Sequence, residues 1–230
     1  MLFKSPIFAQ ASGSIAGTVF SRNAGGMYVR SRSNPTNPNT DAQQAVRDAM
    51  RQLVVAWTTE LTNLQRENWN TYAFNTPTLN KLGEPTHKTG QQMYIRGNIP
   101  RVQALMARAD DAPSVFNIGD FTPPGPISAD ASANNIIIPF NDADAWANED
   151  ENGMLIYMSR PQNATRTFGK GPFQLLTVID GGSLSPPTSP VTVTSLFPME
   201  AGQKIFFQVR VSLADGRLSG KANPTTIVVA

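Results

Sequence analysis

The sequence contains no cysteine and a single histidine, His87. Without cysteine, the chain has no disulfide framework and no thiol chemistry. A single histidine also argues against a His-based zinc site and against the Ser-His or Cys-His pairs of nucleophilic catalysis. Charged residues are few, at 16% of the chain. This low charge argues against disorder and favours folded domains.

Long apolar runs are absent as well. The first 17 residues are apolar only in patches, and Lys4 and Pro6 interrupt them. Such a segment is too short for a membrane span and too broken for a secretory signal. We therefore expect no membrane partner and a protein made and assembled in the cytoplasm.

Glycine and proline are plentiful, with 17 and 18 residues, which favours many turns and extended segments. Charge is unevenly distributed. Residues 1–108 hold 12 Lys/Arg against 5 Asp/Glu, whereas residues 109–230 hold 7 against 12. Halves of opposite sign suggest either head-to-tail contact between copies or a basic end that faces nucleic acid, and two ordinary solvated surfaces would explain them equally well.

Residues 1–38 predict an extended arm. Short β-type runs around Phe20 and Tyr28 are joined by a Gly-rich turn, and the Pro/Asn-rich residues 34–38 close the arm with a non-helical bridge. A two-stranded ribbon is marginal alone, so the arm needs a docking surface on its own chain or on a neighbour. The candidate assembly residues of this arm are Phe20, Arg22, Tyr28, Arg30 and Arg32.

Three Thr-x-x-Gln boxes, at Thr40, Thr62 and Thr89, each precede a helical stripe of apolar residues. They predict three helices in a small domain spanning residues 39–108. The stripes assign Trp57, Trp69 and Tyr72 to the core of this domain. They also predict that Ile95, Ile99, Val102 and Met106 form the apolar stripe of the third helix, in which Pro100 should cause a kink or a break.

Residues 109–126 have the composition of a Pro-rich linker that lies along a surface. From residue 127 the apolar period changes from 3.6 to 2, and about seven short strands follow. The clearest strand is residues 204–212, in which Ile205, Phe207, Val209 and Val211 share one face. This pattern predicts an antiparallel β-sandwich over residues 127–230.

The end of this region carries a more specific pattern. It includes Leu196 and Pro198, the strand with Val209 and Val211, and a Gly/Ser corner over residues 215–219. The pattern resembles the end of a fibronectin type III domain. The resemblance implies an immunoglobulin-like sandwich of about 105 residues.

The first hundred residues resemble uncharacterised virion structural proteins of tailed bacteriophages and prophages. The matching pieces are residues 12–14, 17–20, 28–30 and 37–43, then Trp57, residues 65–69, Gly90, Gln91 and Asn98. The resemblance implies location in a virion and gives no activity.

Two clusters could suggest binding sites. Asp142, Asp144 and residues 149–151 are acidic and surround Trp146, but their spacing lacks the alternation and central glycine of a calcium loop. We therefore interpret them as an exposed acidic loop. The loops around Trp146 and Phe168 could instead contact a carbohydrate or a cell surface.

The sequence thus predicts an α+β chain of several domains: an extended arm, a small helical domain, a linker and a fibronectin III-like or immunoglobulin-like β-sandwich. We expect no catalytic residues, no cofactor and no metal. The leading hypothesis is a non-enzymatic phage virion protein that decorates or stabilises the capsid. Its expected partners are major capsid, portal or neck proteins and copies of itself. Alternatives are a neck or tail component, a carbohydrate-binding or host-surface-binding module, and a nucleic-acid binder that uses the basic half.

Overall fold

The computed structural model describes residues 11–23, 25–80, 82–169 and 171–229. The chain forms two compact units, Met1–Met93 and Tyr94–Ala230. Below, these are called the N-terminal unit and the β unit. The boundary between them falls inside the third helix, so the second half of that helix belongs with the β unit.

The arm forms a three-stranded antiparallel sheet of β1 (Gly13–Ile15), β2 (Thr18–Asn23) and β3 (Gly26–Ser31). The two predicted extended pieces are β2 and β3, and they meet in a hairpin where Asn23 pairs with Gly26. The Asn23 side chain accepts a hydrogen bond from the Gly25 amide, which stabilises this turn. The sequence missed β1, which adds a third strand before the hairpin.

The described residues contain three α-helices: α1 (Asp41–Val55), α2 (Asn63–Asn75) and α3 (Gly90–Gln103). A π-helical turn, Ala56–Glu60, extends α1. At Thr62 and at Thr89 both reciprocal capping bonds to the glutamine three residues later are present. At Thr40 the hydroxyl accepts a hydrogen bond from the Gln43 amide. Local capping chemistry therefore fixed all three helix starts. A small hairpin, β4 (Thr78–Leu79) and β5 (Pro85–Thr86), lies between α2 and α3.

The core of the N-terminal unit is small and lies where α1, α2 and the start of α3 meet. Its buried apolar residues are Ala49, Leu53, Ala56, Leu61, Trp69, Tyr72, Ala73 and Met93. The amide of Gly90 donates to the Asn70 side chain at 3.1 Å. A methyl group on Gly90 would lie 2.7 Å from the Asn70 backbone nitrogen, so this approach of the two segments requires glycine.

Helix α3 continues through Pro100, so the alternative prediction of a break there is wrong. The predicted stripe also names the wrong face. Ile95 and Ile99 are half-buried, whereas Asn98 and Arg101 are completely buried. The helix therefore buries two polar side chains in the β unit, a choice that apolar periodicity does not indicate.

The β unit contains a seven-stranded sheet. Its strands are β6 (Ser128–Asp130), β7 (Asn135–Ile138), β8 (Gly153–Ser159), β9 (Phe173–Asp180), β10 (Val191–Thr194), β11 (Lys204–Ser212) and β12 (Thr225–Val229). They lie in the order β10-β7-β6-β12-β11-β8-β9. All neighbours are antiparallel except β6 and β12, which are parallel. The predicted α+β class and the strand-rich second half are confirmed.

One apolar core fills the β unit, and every strand that alternation predicted contributes residues to it or packs against it. In β11 the predicted inward residues Ile205, Phe207, Val209 and Val211 are all buried. The same core includes Ile136 and Ile138 of β7, while Ile137 between them is exposed. The period of two therefore identified the buried face of these strands correctly.

Residues 109–126, predicted as a linker along a surface, form no helix or strand and lie along the β unit. The Thr122 amide and hydroxyl both donate to the Asp144 carboxylate at 2.9 Å. The Arg217 guanidinium donates to the Asn117 side chain at 2.8 Å. Whether residues 127–230 fold alone as a domain stays a prediction.

Candidate assembly interface

The strand register of the arm sheet determines which of its predicted assembly residues share a face. Residues paired across antiparallel strands lie on the same face, and successive residues alternate. Phe20 pairs with Val29 and Arg22 with Met27, so these four residues share one face. The Thr18–Ser31 pair lies on the same face, so this face is mainly apolar, with two hydroxyl groups and the Arg22 guanidinium.

The opposite face of the sheet carries the other predicted residues. Tyr28 pairs with Ser21 and Arg30 with Val19. Arg32 follows β3, and its amide donates to the Gly17 carbonyl at 2.7 Å. The arm therefore presents an apolar face, a mixed Tyr/Arg face and a cationic end.

The arm sheet has no core of its own. No described residue between positions 11 and 48 is buried. Arg22, Arg30 and Arg32 are exposed, and Ile15 keeps 74% of its surface in solvent. Small sheets need three or more strands with a buried face, or packing against another element, for independent stability. The arm is therefore suited to docking against a surface outside itself.

A polar bridge joins the arm to α1. The Arg47 guanidinium donates from Nη2 to the Asn37 side chain at 2.7 Å and from Nη1 to the Asn39 side chain at 3.0 Å. Gln44 donates to the Asn39 carbonyl at 3.3 Å. All these groups are exposed, so the bridge orients the arm with contributions that water weakens.

The helices of the N-terminal unit also expose apolar side chains. The exposed residues on the helices are Val46, Met50, Val55, Leu64 and Phe74, and Leu79 of β4 is exposed as well. Phe74 is 69% exposed, and its ring stacks on the His87 ring at a centroid distance of 5.3 Å. Scattered exposed apolar residues are normal, but their number beside so small a core favours further burial in an assembly.

The three predicted core aromatics behave differently. Trp69 and Tyr72 are buried, and their rings meet edge to face at 5.7 Å. Trp57 is only half-buried, so it belongs to the core in part and not as a fully buried residue. The buried residues of α1 and of the π-helical turn after it are Ala49, Leu53 and Ala56.

The acidic loop is held by its own hydrogen bonds. The Asp144 carboxylate accepts from Thr122, from the Asn141 side chain and from the Trp146 indole nitrogen, the last at 3.3 Å. These donors occupy the carboxylate oxygens that a cation would need. No group of three or more His, Cys, Asp or Glu suited to a metal ion occurs in the described ranges.

A cleft of about 470 Å³ opens beside this loop, between Asp120, Glu149 and Arg217. The Arg217 guanidinium pairs with the Asp215 carboxylate at 2.7 Å. A guanidinium at the cleft wall offsets the nearby carboxylates. The cleft is therefore a polar surface feature of mixed charge.

The proposed carbohydrate contact loses one of its two aromatic residues. Trp146 is 2% exposed and packs against Phe140, so its ring presents no face to a sugar. Phe168 is 63% exposed, and the Arg166 guanidinium carbon lies 5.1 Å from its ring centre. Trp146 precedes β8 and Phe168 follows it, so the two predicted loops lie at opposite ends of this strand and do not form one contact surface.

Sequence reasoning missed Arg101, which is completely buried in the β unit. Its guanidinium donates to the carbonyls of Ala107 at 2.6 Å, Leu213 at 2.9 Å and Glu151 at 3.1 Å. Burial lowers the pKa of Arg101, and the nearby charges of Glu151 and Asp215 oppose that shift. The only sequence signal of its burial was its position on a helix, three and four residues after the small or uncharged Asn98 and Gly97.

Comparison with protein-family models and with curated proteins finds no match for this chain. In the part of the chain that the structure describes, no helix has both the length and the apolar character needed to cross a bilayer.

Proposed function

We propose that this chain is a non-enzymatic structural protein of a tailed-phage virion. In this proposal the arm and the helices of the N-terminal unit attach to neighbouring virion proteins, and the β unit is a fibronectin III-like domain. The most specific form of the proposal is a capsid decoration or stabilising protein, assembled in the host cytoplasm.

The arm sheet carries this proposal. It has ordered strand pairing, yet none of its described residues is buried. Ordering the 27 described residues of positions 11–38 costs on the order of 27–54 kcal/mol of backbone entropy, so apolar contacts from outside the arm are needed to offset it. An assembly partner supplies such contacts, whereas a catalytic role does not account for an arm with no buried residue.

The strand order supports the fibronectin III part of the proposal. Strands β6 to β12 correspond, in chain order, to fibronectin strands A, B, C, C′, E, F and G. With these letters the sheet order consists of the groups E-B-A and G-F-C-C′. This is the grouping of the two sheets in a fibronectin type III sandwich. In the present chain the groups are joined where β6 and β12 pair in parallel.

The proposal is tested in phage particles produced from the genome that encodes this chain. Purified particles should contain the chain by quantitative mass spectrometry, and imaging should locate it. A copy number that matches the number of capsid lattice positions supports decoration. A copy number equal to the subunits of a single ring supports a neck or tail role. Complete absence from particles, with the chain present in the lysate, contradicts the proposal.

The arm provides a second measurement. Trypsin should cleave the isolated protein after Arg22, Arg30 or Arg32, because these residues are exposed in a sheet without a core. The same bonds should resist cleavage in assembled particles. Deletion of residues 1–32 should abolish incorporation and leave the β unit folded by circular dichroism. Equal protease resistance in the free and assembled forms would show that the arm is stabilised by its own chain.

A further inference from the structure

Charge is segregated along this chain more sharply than its net value indicates. Residues 1–40 contain four basic residues, Lys4, Arg22, Arg30 and Arg32, and no Asp or Glu. Residues 109–159 contain nine Asp or Glu and no Lys or Arg. One sequence therefore carries a purely cationic segment and a purely anionic segment.

The fold collects part of the anionic segment at one end of the β unit. Asp180 ends β9 and pairs in register with Gly153 at the start of β8. Glu149, Asp150 and Glu151 lie just before β8, separated from it by Asn152, and all three are exposed. The carboxylates of the incoming loop and of the outgoing strand therefore share one end of the sheet.

This acidic end is fixed in position. The Ser183 amide and hydroxyl donate to the two Asp150 carboxylate oxygens, each at 2.8 Å. The Asn152 side chain donates to Glu149 at 2.8 Å. Arg101 donates to the Glu151 carbonyl from within the β unit. A preorganised surface of this kind loses little conformational freedom when it binds.

Each charged region adjoins a sheet edge. The arm strand β3 carries Arg30 and forms one edge of the arm sheet, and β9 forms one edge of the seven-stranded sheet. Edge strands present outward amide and carbonyl groups that can pair with another strand. The arm and β9 are therefore complementary in charge and in backbone hydrogen bonding.

We infer that the arm of one copy docks on the acidic end and the β9 edge of a second copy. This inference rests on the proposed function of the arm as an attachment element and names its partner. A second copy supplies both complementary surfaces in a single sequence. Because the two surfaces differ, the contact is head-to-tail and leaves one arm and one acidic end available for further copies.

Charge-reversal variants test this contact in the full-length protein. The arm variant carries Arg22→Glu, Arg30→Glu and Arg32→Glu. The acid variant carries Glu149→Lys, Asp180→Lys and the neutralising Glu151→Gln, which alter three exposed carboxylates of the acidic end and retain the structural Asp150. The control variant carries Arg51→Glu, Lys88→Glu and Arg160→Glu, three exposed basic residues outside the arm.

Sedimentation velocity at increasing concentration gives the readout. The wild type and the control should self-associate to the same extent, less so at high salt. Each reversed variant alone should associate about tenfold or more weakly, since like charges meet at the contact. An equimolar mixture of the two variants should associate again, because the intact arm of one meets the intact acidic end of the other, and the reversed arm is opposite in charge to the reversed end.

Other results overturn the inference. Unchanged association of either reversed variant contradicts it, as does a wild type that stays monomeric at about 100 μM, well above the micromolar range of weak specific interfaces. Loss of DNA retention without loss of self-association would assign the arm to nucleic acid. If a reversed arm changed the unfolding free energy of the monomer but not the sedimenting mass, the arm would dock on its own chain. Each of these leaves the proposed function intact if particles still contain the chain, whereas absence from particles contradicts that function alone.

Discussion

Gly97 of α3 and Gly216 of the β11–β12 connection approach so closely that a methyl group on Gly97 would lie 2.2 Å from the Gly216 carbonyl oxygen. The second half of α3 is thereby packed directly on the backbone of the β unit. Nearby, the Arg96 guanidinium donates to the Leu218 carbonyl at 2.9 Å. These contacts make the second half of the helix part of the β unit.

Gly97→Ala should destabilise the β unit by about 1–3 kcal/mol, the range for overpacking a close contact. Alanine is favoured over glycine in a helix by about 1 kcal/mol, but a clash with backbone atoms outweighs that gain. Urea unfolding followed by fluorescence measures the change. Gly220→Ala is the control, because a methyl group there meets nothing within 4 Å. Equal stability of the two variants would refute the close packing.

Arg101→Met should destabilise the β unit by about 2–4 kcal/mol. The substitution removes the donor of three part-buried carbonyls, each of which costs about 1–3 kcal/mol if fully buried and less where water reaches it, and the apolar side chain offsets part of the loss. Arg51→Met, which removes a side chain that is 77% exposed, should change stability by less than about 0.5 kcal/mol. Comparable urea midpoints for both variants would contradict a structural role of Arg101.

Trp69→Ala should destabilise the N-terminal unit by about 3–5 kcal/mol, because it empties a completely buried aromatic site. Trp57→Ala should cost clearly less, since Trp57 is half-buried. Thermal unfolding monitored at the helical circular dichroism band distinguishes them. A larger effect at Trp57 would reverse the assignment of the core.

A fragment of residues 94–230 should be more stable than one of residues 126–230. The longer fragment keeps Arg101, the bonds between Asn98 and Ala109 at 2.8 and 2.9 Å, and the Thr122 contact with Asp144. Both should be soluble β proteins, with a lower urea midpoint for the shorter one. Identical midpoints would show that α3 and the segment after it add nothing to the fold of the strands.

Acid should remove the stabilisation that comes from Asp150. Hydrogen bonds from Ser183 lower the pKa of this carboxyl below its ordinary 3.8. The unfolded state therefore takes up a proton first, so the stabilisation is complete above pH 3.8 and is lost as pH falls through the folded-state value. Asp150→Asn should flatten the decline in unfolding free energy below pH 4. Ser183→Ala should raise the Asp150 pKa in a carboxyl NMR titration, and an unchanged titration would contradict this account.

Several elements were predictable because their causes are local. A threonine that caps a helix finds its glutamine three residues away, so the boxes at Thr40, Thr62 and Thr89 marked the helix starts. Alternation along residues 204–212 identified the buried face of β11 because side chains alternate strictly in a strand. The arm hairpin followed from glycines at its turn. Strand β1 was missed since Gly13–Ile15 is too short to show a period.

Burial could not be read in the same way, because it depends on which distant segment arrives at a surface. Trp57 and Trp69 have similar local patterns, but only Trp69 lies where α2 meets its neighbours. Asn98 and Arg101 are buried because the carbonyls of Ala109, Leu213 and Glu151 receive their donors. The segregation of charge is a property of the sequence alone. The tertiary structure decided where it acts, since pairing of β8 with β9 brings Asp180 to the acidic loop that precedes Gly153.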